Sequence, residues 1–230
     1  MLYLIADIKT KVPEAGGMAS RCRDYVIDAP DSEAEIVIDD SKYRAEKWSR
    51  LDENGVAYME SALQFYLKLL DFDGMMLHAS ATVIDGEAYL FAGQSGIGKS
   101  THAALLKDLF PGAMLINDDK PAVRCVGGKW IAYGTPWSGK HGININAGYP
   151  LKAVCLLSKR RDRNEIRRAD SLTAVTSLIA CSTGRSSRDY INKLAPLIDR
   201  LMKDIPVYEM DSLANGESAE MAYNAMKNGL

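Results

Sequence analysis

Residues Gly93-Gln94-Ser95-Gly96-Ile97-Gly98-Lys99-Ser100 constrain this chain more than any other stretch. They fit G-x-x-x-x-G-K-[ST], the phosphate-binding loop, and the chemistry depends on that order. Glycines let backbone N–H groups converge on phosphate oxygens with no Cβ in the way. A helix opening at the loop adds partial positive charge at its N-terminus. Lys99 is placed to reach the β- and γ-phosphates, and the Ser100 hydroxyl to bind Mg²⁺. A chance match to the four specified positions is expected in roughly one chain in a hundred of this length. Here a strand-like run, Glu87–Ala92, precedes the loop and a helical run, Lys99–Leu109, follows it. That is the context the motif requires.

Composition permits such a fold and narrows the partners. The 230 residues suit one domain with a small appended lobe. A hydrophobic fraction of 47% with 25% charged residues excludes a disordered chain. A net charge of -2 argues against a dedicated nucleic-acid binder, and the one basic run, Lys159-Arg160-Arg161, is local. No stretch approaches ~18 uninterrupted apolar residues, so no membrane partner is expected. The N-terminus, MLYLIADIKTKVPE, lacks a cationic lead and reads as a strand rather than a signal peptide, which predicts a cytoplasmic protein. Cys22, Cys125, Cys155 and Cys181 lie far apart with no Cys-x-x-Cys pair, as free thiols in a reducing compartment would.

The first ~40 residues look β-rich, with strand-like runs at Leu2–Ile8, Tyr25–Ala29 and Glu35–Asp39 broken by Gly16-Gly17 and Pro30. From Val56 the period changes. Met59, Ala62, Leu63, Tyr66, Leu67 and Leu70 recur at helical steps, with Glu60, Gln64 and Lys68 opposite, and Gly74 ends the helix. Met75–Ile84 and Glu87–Ala92 flank Asp85-Gly86 and predict a hairpin that leads into the loop. Ala113–Ile116 reads as a short buried strand. Pro121–Val126 and Lys129–Tyr133 form a second hairpin about Gly127-Gly128, and Leu151–Ser158 is a central strand. Lys159–Arg168 reads as a solvated hairpin. Ser171–Cys181, with Ser171 as its cap, and Arg188–Lys203 are helical, followed by a strand at Pro206–Met210 and a helix at Glu217–Lys227. The division expected is a β-rich lobe plus helix over 1–72 and a core over 73–230.

Three further features carry chemistry. Asn117-Asp118-Asp119 follows a buried strand directly. Adjacent carboxylates there need a cation, which Mg²⁺ on a nucleotide supplies. One Asp then holds metal, and the other, its pKa raised by repulsion, accepts a proton. A solvated Asn-Asp-Asp-Lys-Pro turn is the competing reading. His78 lies on the first strand of the hairpin that leads into the loop, within reach of the phosphates or else as a satisfied core group. Gly134 to Asn146 is dense in glycine and polar groups. It is either a surface loop with a packed Trp137 or an active-site loop whose Lys140 or His141 meets a transferring phosphate.

This order, a hairpin into the loop, one helix out, and a very short strand ending in Asp-Asp, resembles the HPr kinase/phosphorylase family, which shares its nucleotide site with ATP-dependent phosphoenolpyruvate carboxykinase. The likeness spans about Met75 to Leu157. It is carried by Leu77-His78, Gly93–Ser100, Asp118-Asp119 and Gly142-Ile143-Asn144-Ile145-Asn146. It implies an α/β (α+β) fold with a mixed-sheet P-loop core, a small N-terminal lobe and C-terminal helices. It also implies a kinase moving the γ-phosphoryl of ATP to a serine-type hydroxyl of a peptide, protein or small metabolite. By the resemblance, Gly93, Ser95, Gly96, Ile97, Gly98, Lys99, Ser100 and Thr101 hold the triphosphate, Ser100 and Asp119 the Mg²⁺, and Asp118 is the base. His78 and Lys140 then stand near the phosphates. HPr kinases are ring assemblies, so a homo-oligomer is a further implication. The chain also departs from that family. Its N-terminal part is shorter, and Gly139-Lys140-His141-Gly142-Ile143-Asn144 replaces a Glu-x-Arg-Gly-Ile-Gly stretch. It looks more like the short HPr-kinase-related proteins, some of which look associated with modification of peptide natural products. The lost acidic and arginine positions motivate an alternative, a nucleotide-binding module without phosphotransfer. A switch-type hydrolase would need a parallel sheet around the loop strand.

Overall fold

Residues 1–14, 16–29, 32–158, 162–182 and 187–230 are described by a computed structural model of the chain. The run Lys159-Arg160-Arg161 and Pro30 lie outside the described residues. At the N-terminus, β1 (Leu2–Ile5) and β2 (Ile8–Lys11) pair antiparallel. The single strand expected over Leu2–Ile8 is two, because Ala6 and Asp7 take positive φ (51° and 58°) and turn the chain back. Tyr25–Ala29 is not a strand. Arg23–Tyr25 forms a 3-10 turn after the one-turn helix α1 (Met18–Arg21), and Val26 makes only an isolated bridge to Tyr3. Of Glu35–Asp39, only Ile36–Val37 is strand (β3), parallel to β2.

The helix α2 (Glu53–Leu69) is capped by Asp52, which accepts from the Gly55 N–H. Ala62, Leu63 and Tyr66 are buried as the spacing predicts. Glu60 is not on the outer face. It is 2% exposed, and its Oε1 accepts a 2.7 Å hydrogen bond from Trp48 Nε1, the donor that a buried carboxylate requires.

The expected strand Met75–Ile84 breaks at Leu77-His78 into β4 (Gly74–Met76) and β5 (Ala79–Ile84). From β5 the chain turns at Asp85 and Gly86 (φ 52° and 80°) into antiparallel β6 (Glu87–Ala92). Then come α3 (Lys99–Leu109), β7 (Met114–Asn117), and the hairpin of β8 (Ala122–Val126) with β9 (Lys129–Tyr133). Next are β10 (Gly148–Leu157), β11 (Glu165–Arg168), α4 (Ser171–Cys181), α5 (Arg188–Asp204), β12 (Val207–Asp211) and α6 (Gly216–Asn228). The cap of α4 is Asp170 and not Ser171, since the Asp170 carboxylate accepts from the Thr173 N–H at 2.9 Å. Of the hairpin expected over Lys159–Arg168, the first three residues lie outside the described residues. Glu165–Arg168 pairs antiparallel with β12, which lies between it and β10.

The fold is α/β, with nine strands in one curled mixed sheet. Its pivot is β10. Gly148–Pro150 runs antiparallel to β9 and so joins β4-β8-β9. Leu151–Leu156 runs parallel to β6, and Val154–Leu157 parallel to β12 on the other side. A register shift between Leu151 and Ala153 marks the bend. Beyond β6 lie β5 and then β7. The loop strand β6 therefore has one antiparallel neighbour, β5, and one parallel neighbour, β10.

Alternation along β6 sends side chains to two cores. Leu90 joins Val154 and Leu156 under Leu178, Leu194 and Leu201 of α4 and α5. Tyr89 and Phe91 face Leu106 of α3 and Ala222 and Met226 of α6. A third cluster joins Tyr3, Ile5, Phe65 and Tyr66 to Met76, Ala122, Tyr133 and Trp137, so the N-terminal segment and α2 share one core with β4, β8 and β9. The four cysteines are free, and burial pushes the Cys22 thiol up to about 12. No described helix is long and apolar enough to cross a membrane.

Candidate functional site

The site begins where β6 runs out. Gly93 takes φ 153°, and a Cβ there would lie 3.0 Å from Ile97 Cγ2 and 3.3 Å from the Leu157 carbonyl oxygen. Gly98 takes φ 116° as the N-cap of α3 and offers no capping side chain. The first-turn N–H groups of α3 therefore remain available to an anion. Lys99 is 6% exposed, and its Nζ donates to the carbonyls of Gly93 and Gln94, both at 3.0 Å. Burial lowers its pKa, and the charge of Asp119 opposes that shift.

The two carboxylates sit in a turn, and the turn is what presents them. Asn117, the last residue of β7, accepts at Oδ1 from the N–H groups of Asp119 (2.9 Å) and Lys120 (2.7 Å). Its Nδ2 donates to the Thr135 carbonyl at 3.0 Å. Asp118 is 5% exposed, and its Oδ1 accepts the Gly139 N–H at 2.5 Å. Asp119 Oδ1 lies 2.9 Å from His78 Nε2, and its Oδ2 contacts Lys120 Nζ. Lys120 also donates to the Tyr58 hydroxyl at 2.9 Å, and that hydroxyl donates to the Ser138 carbonyl at 2.9 Å. The guanidinium of Arg21 lies 4.7 Å from the centre of the Tyr58 ring.

Burial alone would raise the pKa of Asp119. The hydrogen bond from His78 and the charge and hydrogen bond of Lys120 outweigh it, so the carboxyl is held well below its usual range. Folding then favours the ionised form. Its contribution to stability is complete above about pH 4 and is lost as pH falls from there toward the depressed folded value. Thermal melts of the wild type between about pH 2 and 6 should therefore fall more steeply in acid than those of Asp119→Asn. Parallel curves would show that this ion pair adds nothing to folding.

His78, Ser95, Gly96, Gly98, Lys99, Ser100, Thr101, Asp118, Asp119, Gly139, Lys140 and His141 all line one cleft of about 610 Å³. Of the residues singled out in the sequence, Gly93 and Ile97 are not in this lining and border a smaller cavity of about 200 Å³ instead. Lys140 and His141 are exposed at the cleft. Trp137, three residues before Lys140, is fully buried. Gly134–Ser138 is buried around the packed Trp137, and the chain emerges at Lys140 and His141 beside the cleft. Among the described residues no group of three His, Cys, Asp or Glu side chains is placed to hold a metal. A cation here would rest on Ser100, an Asp carboxylate and oxygens of its ligand.

Sequence reasoning missed Lys120, Tyr58 and the Gly139 amide. Lys120 directly follows the aspartates, and that adjacency was a usable signal. Tyr58 lies 62 residues from Lys120 on a different element and carried none.

No curated protein matches the chain. Among solved structures it is similar to the Hpr(Ser) kinase/phosphatase from Coxiella burnetii, with 16% identity, 64% of this chain and 91% of that chain covered, and a TM-score of 0.37. Residues 44–222, well over half of the chain, match the family described as SynChlorMet cassette protein ScmC, and the protein belongs to that family.

Proposed function

We propose that the protein is a Mg²⁺-ATP-dependent kinase that phosphorylates a hydroxyl of a peptide, protein or small metabolite. One observation carries the reading. The glycine loop, the uncapped N-terminus of α3, Lys99 and the Asp118-Asp119 turn face one another across a single cleft. Its volume, about 610 Å³, is that of a small-molecule site.

The residues fit such a ligand. Mg²⁺-ATP would supply the electrophilic phosphoryl group. The loop N–H groups and Lys99 would bind its phosphate oxygens, and Ser100 and Asp119 would hold the metal. Asp118 is the better base of the two carboxylates. Both oxygens of Asp119 are engaged, one by His78 and the other by Lys120, and its basicity is depressed. Asp118 Oδ2 takes no hydrogen bond among the described residues. It can therefore accept the proton of an incoming hydroxyl. Lys140, with His141 beside it, would add positive charge at the open side of the cleft.

The acceptor side falls to the N-terminal segment. Tyr25 donates to Asn144 Oδ1 at 2.8 Å, and Asn146 Nδ2 donates to the Asp24 carbonyl at 3.0 Å, so residues before α2 hold the segment that carries Lys140 and His141.

Isothermal titration with ATP, ADP and GTP, each with and without Mg²⁺, tests the reading. Metal-dependent binding that prefers ATP to GTP is the expected result, followed by ADP formation in an acceptor screen with labelled ATP. Binding with no turnover against any acceptor would leave a nucleotide-binding module. No binding to any nucleotide would remove the kinase reading.

A further inference from the structure

Behind the phosphate-facing loop, outside the cleft lining, lies a buried histidine that the proposed chemistry does not use. His102 is on the second turn of α3 and is 1% exposed. Its Nδ1 lies 3.0 Å from the Gly98 carbonyl oxygen, and its Nε2 lies 2.8 Å from Ser212 Oγ, just beyond β12. A carbonyl can only accept, so Nδ1 must carry a proton. Ser212 Oγ accepts the Ala214 N–H at 2.9 Å and has its own proton for Nε2. Of the two neutral tautomers, the contacts select the one with its proton on Nδ1.

The consequence lies in the peptide that joins Gly98 to Lys99. The Gly98 carbonyl accepts twice, from the His102 backbone N–H at 3.0 Å and from His102 Nδ1. A planar trans peptide fixes its N–H opposite its C=O. Holding the Gly98 oxygen on the helix side therefore aims the Lys99 N–H out of the N-terminus of α3, toward the cleft. Gly98, at φ 116°, has no side chain of its own to restrain that plane.

We infer that His102, held in its Nδ1–H tautomer by Ser212, is a positioning residue that fixes the Gly98–Lys99 peptide for binding of phosphate oxygens. The inference rests on the reading of the cleft as a phosphate-ligand site. It does not require that the ligand be a nucleotide.

The test measures binding of Mg²⁺-ATP and of inorganic tripolyphosphate by titration calorimetry. His102→Phe keeps an aromatic ring beside Phe91, whose centroid is 5.0 Å from that of His102, and removes the donor. It should weaken both ligands by a similar factor, about tenfold, as expected for one lost hydrogen bond. His102→Asn, whose amide can stand in for Nδ1–H, should recover the larger part. In the wild type, ¹⁵N spectra should show the Nδ1–H tautomer at His102, a signature that remains readable if His102→Phe fails to fold. Unchanged affinity in His102→Phe, an equal loss in the Asn variant, or an Nε2–H or charged ring would overturn the inference. Tripolyphosphate binding without ATP binding would sink the kinase reading and leave His102 in its role. A wild type that binds neither ligand removes both.

Discussion

Asp118→Asn is expected to lower phosphoryl transfer by a hundred- to ten-thousand-fold, the range for loss of a general base, with nucleotide affinity little changed. The substitution is nearly isosteric. The asparagine side-chain oxygen can still accept the Gly139 N–H that holds Asp118 Oδ1 at 2.5 Å, so the turn and the start of the Lys140 segment should stay in place. The loss is confined to negative charge and basicity at the second oxygen. Asp119→Asn should behave differently. It removes the negative charge from a position clamped by His78 and Lys120, and Mg²⁺-dependent affinity should fall with it. Paired titration and ADP-release measurements on the two variants separate the roles. Full turnover in Asp118→Asn would refute its assignment as base. Loss of nucleotide binding in that variant, with Asp119→Asn unaffected, would exchange the two aspartates.

The contrast between the loop and the rest of the site shows what a sequence can reveal. The glycine loop occupies eight consecutive residues, so its shape, with positive φ at Gly93, Gly96 and Gly98 ahead of α3, is set locally and is legible. The β5–β6 hairpin is equally local, because positive φ at Asp85 and Gly86 is a property of two adjacent residues. The break between β4 and β5 is not. Met75–Ile84 contains no Gly or Pro and reads as one strand. It divides because the Leu77 N–H goes to the Pro121 carbonyl at 3.4 Å and the His78 N–H to the Cys181 carbonyl at 2.6 Å, partners distant in sequence. That break also sets His78 against Asp119. Glu60 was misplaced for the same kind of reason. Helical period predicts a solvent face, but Trp48, from the preceding 3-10 turn, covers that position and supplies the donor. The pairing of β11 with β12 likewise depends on a strand some 40 residues further on, which lies between β11 and β10. Tyr58, the hub linking Lys120 to Ser138, reads in the sequence only as part of an amphipathic helix.

Trp137→Ala should have the largest effect on stability, about 3–5 kcal/mol as for other buried aromatic-to-alanine changes, or a melting temperature lower by roughly 6–20 °C for a chain of this size. Trp137 is fully buried. Its ring stands 4.7 Å from that of Phe65 and 5.5 Å from that of Tyr66, and its Nε1 donates to Ser61 Oγ at 3.0 Å. Deletion opens a cavity where α2 meets the β8–β9 side of the sheet and removes the indole donor to Ser61 Oγ. Trp137→Phe keeps most of the ring contact and loses the indole donor, so it should cost less than half as much. The effect should also reach the cleft. Ser138 and Gly139 follow Trp137 directly, and through them Tyr58 and Asp118 are tied to one segment. The same indole that anchors the core therefore sets where Lys140 and His141 begin. Differential scanning calorimetry with nucleotide titration on both variants checks this coupling. A Trp137→Ala protein that melts well below wild type yet binds Mg²⁺-ATP unchanged would mean that the segment is held by its contacts with Asp24, Tyr25 and β7 alone.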